Sequence, residues 1–450
     1  MGTEHIRRAL AQPVDGASAA AFRILFGAVM LLSSGRFVAR GWVQELYVAP
    51  SFHFGWPGFQ WLEPWPAWGL YLHMAVLAVA AAGVMLGLFY RVSALIFLLA
   101  FICLEFFDRT YYLNHYYLVS LIALLCCAMP LHRVASLDRL RGAVAGDTVP
   151  AWVPNLLRAQ LAIVYFYAGL AKLDTDWLLR AEPLQTWLQV HADVPWVGPY
   201  LAVPAVAFAM AWAGALFDLS IGPLLLWRRT RSWAYLAVIV FHGLTGILFP
   251  IGVFPWVMVA LTTIFFPPGW PRALSHATAR ASRPEGQESA GGLPRRPSCA
   301  PLAPAPAALL IAYLALQLLL PLRHMLYPGE VNWTEEGFRF AWRVMLIEKT
   351  GHVELRVHAL DDSRSWTVLP AAELTPVQVR MMATQPDMIA QYARHVGQRF
   401  EAELGTPVRV HADAWAALNG RPPQRLIDPY ADLSLDQGAF AHRDYILPLQ

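Results

Sequence analysis

Apolar runs recur along the first three quarters of the chain, each close to the roughly 20 residues a helix needs to cross a hydrocarbon core. They predict spans at 19–36, 69–89, 92–107, 115–131, 156–172, 199–226, 232–249, 253–267 and 305–325. The third, fourth and eighth are short and also fit buried or re-entrant helices. Pro250, Gly252 and Pro255 would kink the 232–267 region if it formed one helix. Arg7 and Arg8 precede the first span without a clear small-residue cleavage site, so that span is expected to stay. Beyond residue 326 the pattern changes. Residues 338–347, 353–360, 366–369 and 408–412 read as strands. Thr375-Pro376 reads as an N-cap with proline at the first helical position, opening an amphipathic helix to about Leu404.

The expected architecture is a mainly α integral membrane protein, a polytopic bundle of about eight or nine transmembrane helices followed by a small extracytoplasmic α+β domain. Its parts are a membrane domain over 1–267, a Pro/Gly/Arg-rich cytoplasmic linker over 268–304, a last span over 305–325 and the α+β domain over 326–450. Arginine placement sets the orientation. With the N-terminus inside, cytoplasmic segments hold Arg7, Arg8, Arg91, Arg133, Arg139, Arg141, Arg228, Arg229 and Arg231, besides the arginines of the linker. The opposite side holds Arg36, Arg40, Arg109, Lys172 and Arg180. An odd number of spans then puts 326–450 outside.

Composition agrees with this and narrows the function. Hydrophobic residues make up 57% of the chain and charged residues 14%, against about 25% charged in a soluble domain. A net charge of +3, spread along the sequence, lacks the clustered basic face of a nucleic-acid reader. Four cysteines in 450 residues make no disulfide scaffold. No Gly-x-Ser-x-Gly elbow, P-loop, dinucleotide fingerprint or metal-ligand spacing occurs. Hydrolase, ATPase, nicotinamide-enzyme and metal-centre readings lose their support.

Of 34 basic residues only Lys172 and Lys349 are lysines. Arginine keeps its proton in practice, whereas a desolvated lysine can lose it and serve as a base. Lys172 ends an apolar span, where it is either a snorkelling residue beside Asp174 or a base. His115, after Asn114, lies at the outer end of another span, at the same membrane depth, and is either a hydrogen-bonded structural residue or a functional one. Asp218 and His242 lie within or near two later spans and are either a helix-packing pair, Asp218 with His242 or with an arginine, or functional groups. Glu105 and Asp108 carry the same ambiguity. The outer loops hold Trp42, Trp56, Trp61, Trp65 and Trp68, then Trp177, Trp187 and Trp196. These form an interfacial aromatic belt or a cap over a site for a lipid-borne substrate.

Several stretches resemble the vitamin K-dependent gamma-glutamyl carboxylases, which share the HTTM membrane domain. They are Phe22-Arg23-Ile24-Leu25-Phe26-Gly27, Leu86-Gly87-Leu88-Phe89-Tyr90-Arg91 and, most specifically, Val164-Tyr165-Phe166-Tyr167-Ala168-Gly169 followed by Lys172-Leu173-Asp174-Thr175-Asp176-Trp177. Phe217-Asp218-Leu219-Ser220, Asn332-Trp333-Thr334 and Gln424-Arg425-Leu426-Ile427-Asp428-Pro429 continue the match in order. The resemblance implies a short homologue of bacterial type, in an inner membrane with its C-terminal domain outside.

It implies that Lys172 deprotonates a reduced vitamin K, a menaquinol-like naphthohydroquinone, and that His115 assists carboxylation of a glutamate carbanion. The quinol anion would meet O2 and yield a strong alkoxide base. That base would take a glutamate γ-proton, CO2 would add, and the quinone would leave as its 2,3-epoxide, with no metal required. Asn114, Asp174, Trp177, Asp218 and His242 are the residues expected around the cofactor, and Asp174 and Asp218 are expected to orient the two catalytic groups. Expected partners are membrane lipids, the quinone and a glutamate-containing peptide or protein, with no nucleic acid. Ala171 stands where the animal enzymes carry a second lysine, no cysteine pair lies outside the spans, and the chain is shorter than theirs. These departures bear on docking a protein substrate rather than on quinol oxygenation. Two other functions fit the same residues: a quinol epoxidase or mono-oxygenase without carboxylation, and a non-catalytic membrane scaffold or lipid-binding protein. A transporter fits less well, since no internal repeat of the span pattern is visible.

Overall fold

The computed structural model describes residues 2–274, 300–360, 364–435, 438 and 440–450. Helices form on all nine apolar stretches: α1 (Ala17–Ala39), α2 (Ala67–Leu86), α3 (Tyr90–Phe107), α4 (Asn114–Ala128), α5 (Trp152–Ala171), α6 (Pro204–Leu226), α7 (Arg231–Leu248), α8 (Phe254–Thr262) and α9 (Pro304–Leu319). Among the described residues six are long and apolar enough to cross a membrane: α1, α2, α3, α6, α7, and α9 with its 3-10 extension to Leu326. The other three, α4, α5 and α8, fall short of that length or hydropathy. Helices α4 and α8 are short, and α5 carries Asn155, Arg158 and Gln160 yet is buried along most of its length. A helix covered by its neighbours need not present apolar residues to lipid. The 232–267 region divides at Gly252, whose φ of +66° favours glycine. The expected linker lies for the most part, at 275–299, outside the described residues.

Arg23, in the first of the family-like motifs, is fully buried and structural. Its guanidinium donates to the carbonyls of Val84 (2.8 Å) and Met85 (2.5 Å) at the C-terminal end of α2, and to that of Leu131 (3.2 Å). It therefore satisfies carbonyls that a helix end leaves without intrahelical partners. At this same end of the bundle, strands β1 (Pro13–Asp15) and β2 (Thr148–Pro150) pair antiparallel.

The C-terminal domain is a four-stranded antiparallel sheet in the order β4-β3-β5-β6, formed by β3 (Lys349–Ala359), β4 (Ser365–Val368), β5 (Val408–Leu418) and β6 (Gln424–Arg425). Burial alternates along β5, as a half-covered strand requires. Val408, Val410, Ala412 and Ala414 face a core completed by Met388, Ile389 and Tyr392 of α11 (Pro386–Leu404). The helix expected from Thr375 does begin there, with a full capping box. It comes in two pieces, α10 (Pro376–Met382) and α11, because Gln385 precedes a proline and is extended.

Residues 338–347 correct the strand expected there. They form turns with φ of +64° at Phe340, +55° at Trp342 and +58° at Met345. The alternating apolar residues that mimic a strand face the membrane bundle: Trp342 stacks on Tyr117 at 4.8 Å, and Phe340 meets Trp56 at 5.4 Å. The outer domain is tied to the bundle by buried polar contacts. Asp108 accepts from Gln378 (3.1 Å), and Arg109 donates to Asp387 (2.8 Å).

Candidate active site

Lys172 is the C-cap of α5 and is 5% exposed. It points into the bundle and not toward Asp174. Its Nζ donates to Asp218 Oδ2 of α6 at 2.8 Å and to the Ala168 carbonyl at 3.3 Å, and stands 5.2 Å from the Trp177 ring centroid. Glycine at 169 makes this pairing reachable. A Cβ there would come within 2.8 Å of Leu219, beside Asp218, so only a bare backbone lets α5 and α6 approach this closely.

The helix-packing pair expected for Asp218 is therefore corrected, since its partner is Lys172 and neither His242 nor an arginine. His242 is buried, with Nε2 3.1 Å from the Tyr165 hydroxyl and Nδ1 without a hydrogen-bond partner. Lys172, Asp218, His242 and Tyr165 line one cavity of about 80 Å³ whose remaining wall is apolar and aromatic apart from Thr245. Val344 and Met345 close it from the outer domain. The segment whose alternation mimics a strand is thus the cover of the lysine site.

His115 stands next to this cavity rather than in it. It is half-buried near the N-terminus of α4, with its ring 5.8 Å from Phe254, and Phe254 lines the lysine cavity 5.6 Å from His242. On its other side His115 meets Tyr116 at 4.6 Å, and Tyr116 lines a second, larger apolar cavity of about 320 Å³ that also holds Glu105. His115 therefore touches one residue of each cavity, Phe254 and Tyr116, without lining either.

The remaining expected residues divide by role. Asn114 donates to the Arg343 carbonyl at 3.1 Å and accepts from Tyr112, so it braces the outer domain. Asp174 caps the short helix Thr175–Leu179 by accepting from the Asp176 N–H at 2.8 Å. Trp177 is buried and donates to the Ala211 carbonyl at 2.7 Å, which fixes its ring beside Lys172. The loop tryptophans separate in the same way: Trp61, Trp68 and Trp196 are exposed and belt-like, whereas Trp187 donates to Glu348 at 2.5 Å.

Asp176 has an anchoring role that the sequence did not signal beyond its place in the motif. It accepts from Arg421 at 2.5 and 2.7 Å and from Asn419 at 3.0 Å, joining the loop after Lys172 to the outer domain. Burial alone would raise its carboxyl, but the hydrogen bonds from Arg421 and Asn419 hold it below the usual carboxylate range. Asp176→Asn is expected to cost about 1–3 kcal/mol, seen as a lower melting temperature in nanodiscs. An unchanged melting temperature would remove Asp176 from the anchoring role.

Residues 11–270 match the HTTM domain, and residues 303–450 match the vitamin K-dependent gamma-carboxylase lumenal domain. No solved structure matches the chain. The two domains follow one another in a single chain, and the second closes over Lys172 through Val344 and Met345; by these two domain matches the chain belongs to the vitamin K-dependent gamma-carboxylase family.

Proposed function

We propose that the protein is a quinol-dependent carboxylase in which Lys172 takes the proton of a reduced naphthoquinone drawn from the membrane. The observation that carries this reading is the buried Lys172–Asp218 pair at 2.8 Å in an apolar cavity of the bundle. A lysine that takes a phenolic proton beside a carboxylate ends as an ion pair, which costs far less in a dry site than an isolated cation. Trp177 offers the ammonium a ring face. The Tyr165–His242 pair supplies a second polar edge, and the free Nδ1 of His242 is available to a hydrogen-bonding group of the ligand.

The cavity's apolar, aromatic wall suits a naphthoquinone. Its volume of about 80 Å³ is smaller than the roughly 150 Å³ of a cavity that holds benzene. A two-ring headgroup therefore enters by displacing side chains, and Met210 and Met345 on the wall are unbranched residues suited to that movement. The deprotonated quinol, when bound, supplies the chemistry with O2 and departs as the 2,3-epoxide. His115, one aromatic ring away across Phe254, is the group positioned to serve the glutamyl carbanion on which CO2 adds. The membrane is a bacterial inner membrane and the C-terminal domain faces outward, in line with the arginine bias of the loops.

The test is incorporation of labelled CO2 into glutamyl peptides, by protein in nanodiscs given reduced menaquinone and O2. Label in the peptide supports carboxylation. Epoxide without label would assign the protein to the quinol epoxidases instead.

A further inference from the structure

Arg36, in the last turn of α1, is not used by this mechanism and is electrically incomplete. Its Nε is buried without a hydrogen-bond partner, and it makes no ion pair among the described residues. Its guanidinium carbon stands 5.1 Å from the Trp42 ring centroid. Arg36 as a whole is half-buried, but a buried N–H of a charged group normally finds a carboxylate or carbonyl, since leaving it unpaired is costly.

The guanidinium also points at a particular place. The position a Cβ would occupy at Gly252 lies 3.6 Å from Arg36 Nη2 and 3.9 Å from His115 Nε2. Two nitrogens from helices far apart in sequence thus converge on the bare backbone of residue 252, within ordinary contact distance of where a side chain would begin. Phe254 and Tyr116 flank the His115 ring.

We infer that Arg36 and His115, over the bare backbone of Gly252, form a binding site for a carboxylate, that of the glutamyl side chain to be modified. The inference rests on the carboxylase reading, and it follows from where charge develops. Removing a γ-proton pushes negative charge onto the adjacent carboxylate, and a fixed cation at those oxygens stabilises it most where water is excluded. Arginine matches a carboxylate with two parallel donors, which a lysine cannot reproduce.

The experiment is binding of a fluorescent peptide carrying one glutamate, compared with the same peptide carrying glutamine, to protein in nanodiscs with and without phosphatidylglycerol. Wild type is expected to bind the glutamate peptide about tenfold more tightly. Arg36→Gln should abolish that preference, and Arg36→Lys should keep part of it, with melting temperatures confirming that both variants are folded. The inference is overturned if wild type has no preference, or if Arg36→Gln retains it. It is also overturned if the Arg36 effect follows phosphatidylglycerol content rather than glutamate, which would make the site one for a lipid phosphate. Epoxide formation by the same preparation reports separately on the carboxylase reading.

Discussion

Lys172→Ala is expected to lower quinol-dependent epoxide formation by about a hundred- to ten-thousand-fold, the range for loss of a positioned general base. Lys172→Arg should be as inactive. Arginine keeps a positive charge opposite Asp218 and so preserves what a purely structural ion pair needs, but it cannot give up its proton to become a base. The two substitutions together separate the readings. If Lys172 only balances Asp218, alanine damages the fold, because a buried carboxylate is left alone, while arginine preserves activity. If Lys172 is the base, arginine keeps the fold and loses the reaction. Melting temperature and initial rate of epoxide formation, measured on both variants, decide between them.

Asp387→Ala is expected to destabilise the protein by about 3–5 kcal/mol, the cost of stripping one partner from a buried ionic cluster. Asp387 Oδ2 accepts from Arg109 at 2.8 Å and from Arg339 at 2.7 Å, so its loss leaves two guanidinium groups in the interface between bundle and outer domain. The pH dependence has a definite sign. Burial alone would raise the Asp387 carboxyl, but Arg109 and Arg339 hold it far below the usual carboxylate range. A carboxyl with a depressed folded-state pKa stabilises the fold at pH above its unfolded value of about 3.9, and that contribution is lost as pH falls toward the folded value. Wild type should therefore lose stability progressively below about pH 4, and Asp387→Ala should flatten that part of the profile. Thermal melts of both proteins across acidic pH provide the comparison. Parallel profiles would show that the cluster does not govern docking.

Much of the fold was legible in the sequence because membrane helices are written in long apolar runs. All nine stretches became helices, and both main outer strands and the capped helix appeared where alternation and capping placed them. What the sequence could not rank was which helices face lipid. Helix α5 can hold Gln160 because protein surrounds that residue, and hydropathy carries no information about neighbours. Residues 338–347 failed for a related reason: alternation signals one covered face, and here the cover is the membrane bundle rather than a second strand.

The site was legible in its lysine and less so in its partners. The scarcity of lysine pointed to Lys172, but Asp174, two residues away in sequence, was the nearer candidate partner to the eye. The actual partner, Asp218, is set by the helix contact that Gly169 permits. Arg36 carried no signal at all among 32 arginines (34 basic residues less the two lysines), since an unpaired guanidinium is visible only once every neighbour has been placed.

On the proposed function this protein oxygenates a quinol. The most direct measurement is mass-spectrometric detection of the quinone 2,3-epoxide after purified protein in nanodiscs receives reduced menaquinone and ¹⁸O2. Epoxide carrying ¹⁸O is expected from wild type and none from Lys172→Arg. Folded wild type that yields no labelled epoxide, with glutamyl peptide and bicarbonate present, would contradict it and leave the buried pair as a scaffold for lipid or partner binding.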